Sequence, residues 1–164
     1  MTSTAELAVA AQAPPQSDHW LSGDAVLQRA GRDCIDQLLR NEAAGRAGEP
    51  EGIHQMRVAV RRLRAIISAL APFLPLEARR HASEQLRWLA DALGEARNLD
   101  VLALEILAPA QASLQPAAGF ERLAEAIDRW RDYAHAETEA AINSSRYADS
   151  VGALTHWFDE TSLA

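Results

Sequence analysis

Apolar residues recur along this chain at helical rather than strand spacing. From Ser22 or Asp24, either suited to an N-cap, a first helix is predicted to about Ala44, with Val26, Ile35, Leu38 and Leu39 forming an inward stripe. The stretch AAGRAGEPEG, residues 43–52, should break it with three glycines and a proline. A second helix is predicted from about Ile53 to Phe73, ended by Pro72 and Pro75. A third runs from about Leu76 to Leu93, with Gly94 as a left-handed C-cap. Asn98 is placed to cap a short apolar helix, LDVLALEIL, and Asp100 to favour its positive end. PAQASLQPAAG, residues 109–119, reads as a loop. A longer amphipathic helix then runs from about Gly119 to Asn143, carrying Phe120, Leu123, Ile127 and Trp130. SSRYADSVGALTHWFDE starts the last one, with Tyr147, Val151, Leu154 and either Trp157 or Phe158 facing inward. Short connections between such helices predict an all-α antiparallel bundle of about five to six helices.

Composition agrees with that reading. The 164 residues suffice for one domain with a real core, and 48% hydrophobic but only 5% aromatic residues favour packed helices over sheets. Residues 1–20, rich in Ala, Pro, Gln and Ser, read as a disordered leader, which leaves 21–164 as the folded unit. The leader has no positively charged start, and no stretch approaches membrane-spanning length, so neither export nor insertion is expected. A single cysteine, Cys34, fits a reducing, cytoplasmic setting.

Charge changes the picture more. The formal net charge is -7, yet HQMRVAVRRLR, residues 54–64, holds four arginines and a histidine with no acid among them. At about 100° per residue, His54, Arg57, Arg61 and Arg64 fall within an arc of about 80°. Met56, Val60, Leu63, Ile67 and Leu70 occupy a separate arc, so one face can be buried while another presents guanidinium groups. Arg62 lies off the stripe. A solvated helix face usually alternates signs, as the next helix does with Arg80, Glu84, Arg87 and Asp91 at ladder spacing, but this stripe does not. Acids on neighbouring helices are the bland way to neutralise it. The alternative is a ligand with closely repeated anionic groups, each guanidinium offering two charge-assisted hydrogen bonds to phosphate oxygens. All 16 basic residues are arginine.

These segments resemble the CHAD family, an α-helical domain named for its conserved histidines. IHQMRVAVRRLRAII, residues 53–67, is similar to the family's first signature through His54, Arg57, Arg61, Arg62 and Arg64. LRWLADALGEARNLDVL, residues 86–102, resembles the second, with Asn98 where the family usually has Asp. The resemblance covers roughly residues 22–160, about half of a typical member, and no second His-x-x-Arg-x-x-x-Arg block follows. It implies binding of inorganic polyphosphate by His54, Arg57, Arg61, Arg64, Arg87 and Arg97, without catalysis and without a cofactor. It also implies a chain that is either a fragment or a half unit that pairs with itself as a homodimer. Polyphosphate granules are then an expected location.

Two other readings stay open. A histidine phosphotransfer bundle would use His54 with Arg57 three residues later, although Val58 fits that class poorly. A nucleic-acid module could lay the stripe along a backbone, but the stripe has no stacking aromatics and the total charge is unfavourable. The remaining histidines and Cys34 show no metal-ligand spacing, so no metal is expected.

Overall fold

The computed structural model describes residues 22–113 and 118–163, and their regular structure is entirely helical. The expected leader, residues 1–20, lies outside the described residues, as do residues 114–117 of the predicted loop. Eight α-helical stretches follow in order: α1 Gly23–Arg40, α2 Glu42–Arg46, α3 Pro50–Ala69, α4 Leu76–Ala92, α5 Gly94–Asp100, α6 Ala108–Ser113, α7 Ala118–Ile142 and α8 Ser145–Glu160. A 3-10 turn over Ala71–Phe73 joins α3 to α4, and a π-helical stretch over Val101–Leu107 joins α5 to α6.

Four of these, α1, α3, α4 and α8, pack in a ring, each against two others. Their contacts fix antiparallel directions. The end of α8 lies beside the start of α1, where Asp159 meets Arg32 at 2.6 Å and Leu163 N–H donates to Asp24 at 2.7 Å. Trp157 Nε1–H donates to the Ala78 carbonyl at 2.9 Å and Ser150 Oγ to Gln85 at 2.9 Å, which runs α8 against α4 in opposite senses. The interior is filled by Leu27, Ile35 and Leu38 of α1, Ile53, Met56, Val60, Leu63 and Ile67 of α3, Leu86 and Leu89 of α4, and Leu154 and Phe158 of α8. Each such side chain contributes about 1.5–3 kcal/mol on burial. The apolar stripe of α3 is therefore firmly seated, and its opposite face is held in place.

The other elements form a second layer. α5 packs on α3 and α7, and α7 also touches α2, α4 and α8. A small satellite core joins Ala103 and Leu107 of the π-helical stretch to Ile127 of α7, with Phe120 and Ala124 against it.

Several predicted features differ. Ser22 does cap α1, its Oγ accepting from Ala25 N–H at 3.2 Å, but α1 ends at Arg40 and residues Glu42–Arg46 make a helix of their own. The real break is Gly48, whose φ of 69° is the left-handed conformation that favours glycine. The buried stripe of α1 is Leu27, Gly31, Cys34, Ile35 and Leu38; Val26 and Leu39 are 51% and 44% exposed. Gly94 is not a left-handed cap: Leu93 before it is right-handed and α5 begins at Gly94 itself. Asn98 sits inside α5 and caps nothing, because the helix runs on from Gly94 into the π-helical stretch. Residues 109–113, expected as the start of a loop, are helical within α6. Both Trp157 and Phe158 are buried, their rings edge to face with centroids 4.7 Å apart.

Candidate polyanion groove

The outer face of α3 lies between α4 on one side and α5 on the other, and two hollows flank it. The first, about 340 Å³, is lined by His54, Arg57, Val58, Arg61, Arg64, Ala90, Arg97 and Asn98, among others. The second, about 570 Å³, is lined by Arg61, Arg64, Ser68, Arg79, Ser83 and Arg87 with Ala65, Ile67, Ala71 and Leu86. Arg61 and Arg64 line both, so the hollows adjoin along the outer face of α3, and the pair is termed the groove. All six residues singled out from the sequence are brought together here. Among the described residues no carboxylate lines either hollow.

The charge in this groove is largely uncompensated. Among the described residues, Arg57, Arg61, Arg64, Arg79 and Arg87 form no ion pair with a carboxylate. The ladder predicted on α4 does not form there: Arg80 meets Glu77 at 3.6 Å rather than Glu84, and Arg87 faces the groove. Arg62, off the stripe as expected, donates to Gln37 at 2.9 Å. Arg57 feels its surroundings most, its pKa lowered first by burial and then by the charges of Arg97 and Arg61. Like charges held this close favour an anion between them.

Arg97 departs from the pattern. Its guanidinium donates to Glu105 at 2.7 Å, and the Arg97 side chain is only 18% exposed. Glu105 lies on the π-helical stretch, a conformation in which the sequence alone did not place it. Gly94 has a role the sequence did not suggest. A Cβ there would stand 3.0 Å from Arg57 Nη1, so the bare backbone leaves room for that side chain against the start of α5.

The position of α5 is set by a buried cluster that sequence reasoning missed. Asp100 is fully buried, and its Oδ1 accepts from Arg131 Nε at 2.7 Å and from His135 Nε2 at 2.8 Å. That geometry needs the His135 proton on Nε2. Asp100 Oδ2 and His135 Nδ1 are buried with no hydrogen-bond partner among the described residues. Near them, Thr138 Oγ1 donates to the Ala92 carbonyl at 3.0 Å. Arg131, His135 and Thr138 follow one another at helical spacing, so a single face of α7 clamps the α4–α5 junction. Asp100 thus anchors the segment bearing Arg97 and Asn98 instead of serving a helix end. A burial-competent carboxylate thirty-odd residues before an Arg-x-x-x-His pair is too loose a pattern to identify in one sequence.

Arg79, Ser68 and Ser83 were also missed as groove residues. Arg79, Ser83 and Arg87 stand four residues apart on α4 and share one face, a signal that the competing charge ladder hid. Among the described residues no group of three or more His, Cys, Asp or Glu side chains converges to hold a metal. No described helix is long and apolar enough to cross a membrane.

The CHAD domain matches this chain over residues 29–164. The chain belongs to the CHAD domain family. It is 31% identical over 144 residues to the Uncharacterized protein Rv2226 of Mycobacterium tuberculosis, a match covering 84% of this chain and 28% of that protein. The Uncharacterized protein MT2285 from another strain of the same species is 30% identical over 144 residues, with the same coverage. The CHAD domain here therefore spans little more than a quarter of the length of these relatives. No solved structure matches.

Proposed function

We propose that this CHAD domain binds inorganic polyphosphate along the α3 groove, without transforming it. The observation that carries this reading is a pair of adjoining hollows lined between them by Arg57, Arg61, Arg64, Arg79, Arg87 and Arg97 with His54 and, among the described residues, by no carboxylate. Guanidinium groups from three helices offer a linear polyanion several contacts along its length. Their backbones are set in advance by the packed faces of α3 and α4, so little ordering has to accompany binding. Membership in the CHAD family supports inorganic polyphosphate over other polyanions. The overall charge of -7 supports a local landing site, since it disfavours polyanions elsewhere on the surface. On this reading the protein acts wherever polyphosphate accumulates, granules included, in a cytoplasmic compartment.

Salt-titrated binding of long-chain polyphosphate to the parent, Arg57→Ala, Arg61→Ala and Arg79→Ala tests it. A hydrogen bond to a charged group contributes about 1.5–3 kcal/mol. Each variant should therefore bind roughly tenfold or more weakly, and its affinity should fall less steeply with salt. Unfolding curves that match the parent would show that the fold is retained. Equal affinity in all three folded variants defeats the assignment. Duplex DNA provides the competing arm: polyphosphate should displace it, and base sequence should have no effect.

A further inference from the structure

On α7, Leu123, Trp130 and Tyr133 are 49%, 69% and 66% exposed, although the first two belong to the amphipathic face expected to point inward. Helical spacing of about 100° per residue places Leu123, Ala126, Trp130 and Tyr133 within an arc of about 80°. The buried face of the same helix, including Ile127, Ala134 and Thr138, lies beside this strip and packs α7 on the fold together with Arg131 and His135. The strip itself has no covering element among the described residues. Two large aromatic side chains side by side in water are the kind of anchor on which interfaces are built.

The charges around the strip identify the partner. Arg122 stands at one end and Glu137 at the other, both exposed and neither in an ion pair among the described residues. An identical strip laid antiparallel against this one brings Arg122 to Glu137 of its partner at both ends. The same register sets the small Ala126 opposite the bulky Tyr133, because both pairs share one midpoint, between Arg129 and Trp130. One charge pair and one volume pair thus match across this two-fold register, which also sets the exposed Arg129 of each copy beside Trp130 of the other. We propose that α7 pairs antiparallel with α7 of a second copy of this chain, with Trp130 and Tyr133 as the anchors. None of these residues lines the arginine groove.

Light scattering of the full chain across a concentration series, with no polyphosphate present, tests this apart from the binding function. The parent should dimerise. Trp130→Ala with Tyr133→Ala should weaken the dimer by about tenfold or more, while its thermal unfolding measured at a fixed monomeric concentration stays close to the parent's. Arg122→Glu and Glu137→Arg should each weaken it, and the two together should restore it. A parent that stays monomeric, or a dimer indifferent to Trp130 and Tyr133, overturns the proposal. Failure of the paired charge reversal to restore dimerisation overturns the antiparallel register.

Discussion

Glu105 touches a groove arginine, and it does so from a side chain that is 56% exposed. Its attraction for Arg97 is screened, and exposed pairs of this kind contribute about 0.2–1 kcal/mol. A polyanion entering the groove must compete for that guanidinium. Glu105→Gln keeps the shape and removes the competitor, so polyphosphate affinity should rise by roughly two- to fivefold at low salt and the gain should shrink as salt is added. A variant that binds no better than the parent would mean that Arg97 takes no part. At this scale the sequence was most informative where one helix sufficed: the spacing of His54, Arg57, Arg61 and Arg64 placed them on one face before any packing was known. It was least informative where two helices meet. The Arg97–Glu105 pair depends on a π-helical turn, and the Asp100 cluster on which face α7 turns to α5, and neither is a local property of the chain.

Among the elements, α1 and α8 close the four-helix ring, and their approach depends on Gly31. A Cβ at that position would lie 2.2 Å from Phe158 Cδ1 and 2.4 Å from its Cγ. Phe158 is fully buried, so its ring has nowhere to go. Gly31→Ala should thus destabilise the fold by about 1–3 kcal/mol, despite the better helix propensity of alanine, seen as a lower denaturant midpoint. An unchanged midpoint would show that the two helices separate at little cost. The periodicity that predicted helices over α3, α4, α7 and α8 was strong because each carries a continuous apolar stripe. It misplaced Val26 and Leu39 because α1 is apolar on adjacent faces, and only the positions of α3 and α8 decide which face is covered. In α7 the predicted face is split, with Ile127 buried and Phe120 packed on the satellite core while Leu123 and Trp130 stay exposed. Alternating apolar positions record that a surface is to be covered and leave open whether the same chain covers it.

For the whole molecule, with its formal net charge of -7, two buried acids other than carboxylates set how the fold responds to alkali. Cys34 lies in the core, and burial foremost raises its thiol pKa above the usual 9.0, Asp33 adding to the rise and Arg62 opposing it. Tyr147 is also buried, and its hydroxyl donates to Glu42 at 3.2 Å. Burial first, then the charge of Glu42 and that hydrogen bond, push the phenol well above its usual 10.0, with Arg46 opposing. In the unfolded chain both groups ionise near their ordinary values, whereas the folded protein keeps their protons to higher pH. Above about pH 9 the unfolded state therefore binds fewer protons than the folded one, and stability must fall as pH rises. Below that range both contributions are fully present. Thermal unfolding of the parent should thus show a steady midpoint up to about pH 8 and a decline that steepens from about pH 9 to 11. Cys34→Ala should delay the onset, and Tyr147→Phe should flatten the steeper part at the cost of the Glu42 contact. If both variants decline in step with the parent, alkaline loss of stability arises elsewhere, and neither buried group is held in its protonated form by the fold.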